Sequence, residues 1–316
     1  MGHGGQARAW AECLRESGWS VEIYLRSPEK APGARPLSAL AGDLADGFPI
    51  GPTGAITSGA PAAVPALVAM LCSDAAIAPV YERYLRGVQR PLQLVLAHGF
   101  AIYSRTLTEL APEHAVALFA PKAIGPQIVT KYRAGRPHAL KAAVTAEVAA
   151  SRDTAKISGA SRVRAMAEGM GFDPANFIET TFEKETIGDL ISEQGLLCGG
   201  VFALLDWTWH AMREAGVPEA LIREECLSEL ELVAGLLSSR GPAQTFATIS
   251  DAAKVGTLLV REDFEASDLH ARLRARFEEV LDGRFGQRFL AQDWQPAIAN
   301  QITRLRRLEV SHELDS

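Results

Sequence analysis

Cysteine is scarce in this sequence, which has four in 316 residues: Cys13, Cys72, Cys198 and Cys226. None of them forms a C-x-x-C pair, and a chain of this length does not need a disulfide framework. The first residues are polar and rich in glycine, unlike a secretory leader. We therefore expect reduced thiols and a cytoplasmic protein.

The sequence also lacks an excess of positive charge, because it has 32 Lys and Arg against 38 Asp and Glu, which gives a net charge of -6. This balance argues against nucleic acid or an anionic membrane as a partner, but it does not exclude a small anionic ligand. The most apolar run, residues 60–80, is interrupted by three prolines and Asp74. We predict a buried strand and a loop there rather than a membrane span.

The first half of the chain alternates short apolar runs with helical patterns. Strands are predicted in "SVEIYLR", "PALVAML", "PLQLVLAHGF", "HAVALFAPKAIG" and "LKAAVTAE". Such alternation is typical of a parallel sheet covered on both faces. From about residue 177 strand patterns stop and helical runs dominate. We predict an α/β domain over residues 1–172 and an all-α domain over residues 173–316.

The opening stretch "MGHGGQARAW" resembles the turn that holds a dinucleotide pyrophosphate. Gly2, Gly4 and Gly5 precede a helix, and glycines there let the phosphate approach the backbone at the helix N-terminus. A flexible N-terminal tail is the alternative. In a doubly wound sheet a central strand leads into this turn, yet only Met1 precedes Gly2. We expect the sequence to be truncated by roughly 10–20 residues, or the strand to have been lost.

The next predicted strand ends in Arg26 and Ser27, where an NAD-binding domain often carries an acidic residue. A basic residue at this point suits the 2′-phosphate of NADP. Lys30 and Arg35 lie in the same loop. The alternative is ordinary solvated loop charge.

Two pairs of carboxylates occur at i,i+4 spacing in apolar helical segments: Asp189 with Glu193, and Glu225 with Glu229. Side chains at this spacing share a helix face, and like charges so placed repel one another. Oxygen-only ligands suit Mg²⁺, and four carboxylates suit two ions. Acidic pairs on exposed helices are the alternative.

Both carboxylate faces continue into apolar positions, Leu196 and Gly200 in the first case and Leu232 and Leu236 in the second. We expect these stripes, and the carboxylates with them, to point inward. Buried paired carboxylates are costly without a cation, which favours the metal interpretation.

Several stretches resemble, in order along the chain, motifs of the ketol-acid reductoisomerase family, short-chain class. The residues that carry the resemblance are "GHGGQARAWAECLRESGWSVEIYLR", "LVLAHGFAIY", "FAPKAIG", "IETTFEKETIGDLISEQGLLCGGVFALL", "EECLSELEL" and "FATISDAAKVG". The resemblance implies a Rossmann-like doubly wound parallel sheet, with its first strand missing here, and a C-terminal knotted helical domain.

The resemblance also implies a metal site of two Mg²⁺ ions. Asp189 is expected to bridge them and Glu193 to bind one. Glu225 and Glu229 are expected to complete the site, partly from the other subunit of a homodimer with shared active sites.

The remaining roles follow from the same resemblance. Ser250 is expected to hold the substrate carboxylate, and His98, Lys122 and Glu229 are the expected catalytic residues. Residues expected to bind NADP(H) are Gly2, Gly4, Gly5, Gln6, Arg26, Ser27 and Gly125.

The reaction implied is alkyl migration in a 2-aceto-2-hydroxy acid followed by NADPH reduction to a 2,3-dihydroxy acid, in valine and isoleucine biosynthesis. The sequence departs from the family near the site, with Ala101 and Tyr103 in place of Asn and His. A divergent or non-catalytic paralogue therefore stays an alternative. An NADP-dependent hydroxy acid dehydrogenase is another, although such an enzyme does not need four carboxylates.

Overall fold

The structure, a computed structural model, describes residues 4–45, 66–145, 155–306 and 308, with the side chains of 155–161 left out. The chain divides into two compact units, Met1–Ile187 and Gly188–Ser316.

The first unit alternates strands with helices, as the sequence predicts. Its elements are α1 (Gly5–Glu16), β1 (Tyr24–Leu25), β2 (Arg35–Pro36), α2 (Leu40–Ala45), β3 (Ala66–Met70), α3 (Asp74–Tyr84), β4 (Leu92–Leu96), α4 (Phe100–Tyr103), β5 (His114–Pro121), α5 (Gly125–Arg133), β6 (Ala142–Thr145), α6 (Ala155–Gly169), β7 (Phe177–Thr180) and α7 (Phe182–Ser192), which continues into the second unit.

The main sheet has the order β3-β4-β5-β6-β7. Its pairs are parallel except β5 with β6, which run antiparallel. Strands β1 and β2 form a separate parallel pair, and the described residues hold no strand that joins β1 to β3. The predicted parallel-dominated, Rossmann-like sheet is confirmed.

Strand β7 corrects the expectation that strands stop near residue 177. It pairs in parallel with β6 along its whole length, so the sheet continues to Thr180. The boundary between residues 172 and 173 stays a prediction about domains.

Both faces of the main sheet are covered, because alternate side chains of a strand point to opposite faces. Leu94 and Leu96 of β4 pack with Tyr81 in one apolar cluster. Val95, between them, packs with Trp10 of α1 in the other. Every residue of β4 is buried, which explains its mostly apolar sequence, and its one polar residue, Gln93, donates a hydrogen bond to Leu94 O at 3.2 Å.

The described part of the second unit is helical throughout, as predicted. After α7 come a π turn (Glu193–Leu197), α8 (Gly199–Glu214), α9 (Glu219–Arg223), a second π turn (Glu224–Ser228), α10 (Glu229–Arg240), α11 (Pro242–Thr248), α12 (Asp251–Ala266), α13 (Leu269–Leu281), α14 (Arg284–Ala291) and α15 (Gln295–Arg306). The knot implied by the resemblance stays a prediction.

Large apolar side chains of the second unit lie exposed. Leu196 is 65% exposed and Leu232 is 61% exposed. The expectation that these stripes point inward is therefore wrong for the single chain, because an apolar stripe specifies a face to be covered but not what covers it. The segment Phe182–Glu214 is also long and apolar enough, by length and composition alone, to cross a membrane.

Candidate functional site

The ends of β4 and β5 bring two predicted residues to one edge of the sheet. His98 follows β4 by two residues and Lys122 follows β5 directly. The two strands are parallel neighbours, so their carboxyl ends meet at the same edge, where open α/β sheets bind their ligands. The Lys122 backbone N–H donates to Lys141 O at 2.9 Å, which anchors the residue at this edge.

Glu185 of α7 forms the buried centre of this group, and sequence reasoning missed it. Its side chain is 1% exposed. Lys122 Nζ donates to its Oε1 at 2.8 Å, and the Gly99 N–H donates to its Oε2 at 3.0 Å. His98 Nε2 lies 3.8 Å from the same Oε2. One carboxylate thus links both strand ends.

Gly99 allows α7 to lie against the strand end. A β-carbon at Gly99 would sit 2.4 Å from Thr186 Oγ1 and 2.6 Å from Phe182 O. The Thr186 hydroxyl itself donates to Phe182 O at 2.8 Å. Only glycine fits at this approach, which is how Glu185 reaches the backbone at residue 99.

Glu185 begins a row of carboxylates that continues through Asp189 and Glu193 at steps of four residues. This spacing, extended one step back from Asp189, is the sequence signal that could have identified it. Glu185 and Asp189 present ligand oxygens within 4.8 Å of each other. Two carboxylates this close repel one another, although Lys122 Nζ offsets part of the charge on Glu185, and carboxylate oxygens are a ligand type that suits Mg²⁺.

The other predicted metal and substrate residues lie on exposed helix surfaces. Glu225 and Glu229 are exposed. The parts of the chain that the structure covers hold no group of three or more closely spaced ligating side chains that includes Glu193, Glu225 or Glu229. Ser250 caps α12, where its Oγ accepts the Ala253 N–H at 3.2 Å.

The predicted glycine turn lies at the start of α1. Gly4 is the N-cap, and among the described residues a β-carbon at Gly4 or Gly5 would meet nothing within 4 Å. Neither position is therefore kept as glycine by neighbouring protein atoms. Gly2, the third predicted glycine, lies outside the described residues.

Gly125 has a different reason to be glycine. A β-carbon there would lie 2.2 Å from Gly5 O, because the N-termini of α5 and α1 touch. Gln6 joins the same two elements, since its Nε2 donates to Ala123 O at 2.8 Å and its Oε1 accepts from Trp10 Nε1 at 3.1 Å. The described contacts of Gly125 and Gln6 thus hold the turn together.

A cavity of about 650 Å³ opens beside this turn. Basic side chains from three elements line it, together with Ser27: Arg8, Arg26, Lys30 and Arg83. Arg8 and Arg83 were missed from the sequence. Arg8 lies one helical turn after Gly4, and Arg83 lies on α3, the helix that follows β3. These two positions are the sequence signals that could have identified them.

Arg35, expected to help in this loop, is engaged elsewhere. Its guanidinium pairs with Asp43 at 2.8 Å and lies over the Tyr24 ring. Burial raises the pKa of the Cys72 thiol in the cavity wall, so this cysteine stays neutral at physiological pH.

Two family models together cover nearly the whole chain. "Acetohydroxy acid isomeroreductase, NADPH-binding domain" matches residues 1–176. "Ketol-acid reductoisomerase, C-terminal domain" matches residues 182–316.

Among similar curated proteins is a ketol-acid reductoisomerase (NADP(+)) of Saccharolobus islandicus (strain Y.G.57.14 / Yellowstone #1). It is 27% identical over 314 residues, covering 97% of this chain and 86% of its own length. Another is the enzyme of the same name from Xylella fastidiosa (strain 9a5c), 28% identical over 316 residues, covering 100% of this chain and 84% of its own length.

Solved structures share the fold. An NADH-preferring ketol-acid reductoisomerase from an uncultured archean matches with a TM-score of 0.75 at 24% identity, covering 99% of this chain and 89% of its own. A Plasmodium falciparum pyrroline carboxylate reductase with NADP bound matches at 0.55 and 12% identity, covering 90% and 96%.

Proposed function

The chain belongs to the ketol-acid reductoisomerase family, oxidoreductases of branched-chain amino acid biosynthesis, and from this premise we propose which of its residues perform the reaction. The substrate is a 2-aceto-2-hydroxy acid and the product a 2,3-dihydroxy acid. The observation that carries the proposal is the buried Glu185 carboxylate, which links Lys122 and Gly99 at the carboxyl edge of the sheet.

The metal ligands are proposed to follow Glu185 along the same helix. Glu185 is fixed by its two hydrogen bonds, and Asp189 lies one turn further on with an oxygen within 4.8 Å. This donor set fits Mg²⁺, with Glu193 beyond it. The ions, when bound, would polarise the substrate carbonyl and stabilise the alkoxides.

Proton movement is assigned to His98 and Lys122. Lys122 Nζ holds a proton 2.8 Å from Glu185 Oε1. His98 lies between two carboxylates, 4.0 Å from Asp74 Oδ1 through Nδ1 and 3.8 Å from Glu185 Oε2 through Nε2. These residues can take the proton of the substrate's tertiary alcohol and return one to the product.

The cavity beside Gly4 and Gly5 is proposed to bind NADP(H), which supplies hydride when bound. The N-terminus of α1 offers backbone N–H groups to the pyrophosphate. Arg26 and Ser27, with the other basic residues of the wall, favour a 2′-phosphate. The cation set supports NADPH over NADH for this chain.

A homodimer is proposed to complete the site. Glu225 and Glu229 lie exposed on helices with large exposed apolar side chains, such as Leu232. Burying apolar surface against a second copy releases about 25 cal/mol per Å², and it would bring these glutamates to a partner's site. Ser250 and Glu229 are proposed for substrate binding and catalysis there. The protein is proposed to act in the cytoplasm.

NADPH oxidation with 2-acetolactate, with and without Mg²⁺, tests the proposal. We expect turnover that requires Mg²⁺ and is abolished in Asp189→Asn, while NADPH binding by fluorescence is kept. A fully active Asp189→Asn enzyme would contradict the metal assignment. NADPH binding without turnover on any aceto-hydroxy acid would favour the non-catalytic paralogue, and metal-independent turnover would favour a hydroxy acid dehydrogenase.

A further inference from the structure

Each carboxylate pair coincides with a π turn. Glu193 is the first residue of the first π turn, and its carbonyl accepts the N–H of Cys198, five residues on, at 2.9 Å. Glu225 lies within the second π turn, which closes when the Glu229 N–H donates to Glu224 O. π turns are rare inserts in α-helices and occur often at functional sites. Both coincide with the residues expected to bind metal.

Glycines make the first π turn possible. A β-carbon at Gly199 would lie 2.0 Å from Gln194 O, and one at Gly200 would lie 2.5 Å from Gly195 O. In each case the clash is with a backbone oxygen five residues earlier, so it arises from the wide turn itself. By contrast, a β-carbon at Gly188 would meet nothing within 4 Å.

The turn is also braced from outside. Phe277 of α13 packs onto Gly195, with its Cζ 2.7 Å from where a β-carbon of Gly195 would sit. A side chain at Gly195 would therefore push the ring away. Three glycines in six residues thus have steric reasons to be glycine: Gly195 lies within the turn, and Gly199 and Gly200 begin the helix just after it.

The extra residue in the π turn changes which positions of α8 lie on a given face of the helix. An α-helix turns about 100° per residue, and the wide turn takes up one extra residue within a single turn, so the helical face that α7 presents continues in α8 at positions shifted by one residue. The insertion also moves the hydrogen-bond partner of the Glu193 carbonyl from residue 197 to Cys198. The insertion therefore decides which positions of α8 lie on the face that carries Asp189 and Glu193.

We propose that the first π turn orients the Glu193 carboxylate toward the cation that Asp189 would bind, and that Gly199 and Gly200 are positioning residues for it. This inference rests on the proposed function. It assigns the two glycines a role in metal affinity rather than in folding alone.

The test compares metal binding in three variants of the full-length chain. Deleting Leu196, an exposed residue within the π turn, lets the segment continue as a regular α-helix with the phase of α8 kept. Gly199→Ala disrupts the same turn, because the added β-carbon would clash with Gln194 O. Gly188→Ala is the matched control on the preceding turn. Mn²⁺ affinity is measured by electron paramagnetic resonance titration, NADPH affinity by fluorescence and helix content by circular dichroism.

We expect Mn²⁺ to bind about 10–100-fold more weakly to the deletion and Gly199→Ala variants. NADPH affinity and helix content should match wild type, and Gly188→Ala should bind Mn²⁺ as wild type does. A role in folding alone would lower helix content without this selective loss. If Gly199→Ala fails to fold, the deletion variant decides.

Wild-type Mn²⁺ affinity in the deletion variant would overturn the inference, as would an equal loss in Gly188→Ala. The Asp189→Asn variant distinguishes failure of the positioning role from failure of the proposed metal site. If Asp189→Asn loses Mn²⁺ while the deletion variant keeps it, the metal site stands and the positioning role falls. If wild type itself binds no Mn²⁺, both fall.

Discussion

Replacing Glu185 by glutamine tests the buried centre of the site most directly. The amide keeps an oxygen for the Gly99 N–H but removes the charge that both Gly99 and Lys122 contact. Hydrogen bonds to charged groups contribute about 1.5–3 kcal/mol, against about 0.5–1.5 kcal/mol for neutral ones. The contact with Gly99 should therefore weaken by about 1 kcal/mol.

The ion pair contributes less than its short distance suggests. Lys122 is 36% exposed along its side chain, and solvent-exposed pairs are worth about 0–1 kcal/mol. Together we expect Glu185→Gln to lower the free energy of unfolding by about 1–2 kcal/mol, or roughly 2–8 °C in Tm for a unit of this size. Glu185→Ala should lose a further 1–3 kcal/mol or so, because it leaves the buried Gly99 N–H without an acceptor.

Thermal and urea unfolding measure the stability, and the exposed Glu183 on the same helix supplies the control variant Glu183→Gln. In the kinetic assay, kcat of Glu185→Gln should fall by at least about 100-fold, the usual scale of a lost acid–base contribution. The Kd for NADPH should not change. Equal stability of the two glutamine variants, or a fully active Glu185→Gln, would refute the reasoning.

Three further predictions concern the cofactor cavity and the core. Gly125→Ala should cost about 1–3 kcal/mol by overpacking against Gly5 O, whereas Gly5→Ala should keep wild-type unfolding midpoints and weaken only NADPH binding; equal midpoints for the two would contradict this. In fluorescence titration, Arg83→Ala should lose affinity for NADPH but not for NADH. Arg8→Ala, one turn from the pyrophosphate position, should lose affinity for both cofactors. An unchanged ratio of the NADPH and NADH dissociation constants in Arg83→Ala would contradict the 2′-phosphate role. Burial lowers the pKa of His114 below its unfolded value, so the unfolded chain takes up a proton first, and stability should fall as pH drops below about 6.5; a urea midpoint independent of pH in that range would contradict this.

The sheet and its ligand edge could be read from the sequence because buried parallel strands leave a strong local pattern. Continuous apolar runs ending in polar turns predict strands, and parallel pairing then requires His98 and Lys122 to meet. The antiparallel pairing of β5 with β6 and the presence of β7 depend on how distant segments meet, which local patterns do not encode. For the same reason Glu185 reads as an ordinary acidic residue near a helix start until its contact with Gly99 is known.

The apolar stripes of the second unit mark another limit of the sequence. The apolar patterns that include Leu196 and Leu232 identify helix faces that favour burial. The pattern is the same whether such a face is buried against another helix of the chain or against a second molecule. Both side chains are more than half exposed here. The pattern therefore identifies apolar faces, but it does not give the direction in which they point in the single chain.

The glycines separate what a residue type signals from why it is there. Gly4 and Gly5 have open space around them, while Gly99 and Gly125 meet backbone oxygens at 2.6 Å and 2.2 Å from a β-carbon position. In sequence all four belong to glycine-containing turns that follow or precede regular elements. Only the contacts divide them into positions open to a ligand and positions closed by the protein. A substitution at Gly4 or Gly5 should therefore weaken cofactor binding without changing the free energy of unfolding. A substitution at Gly99 or Gly125 should first lower the free energy of unfolding.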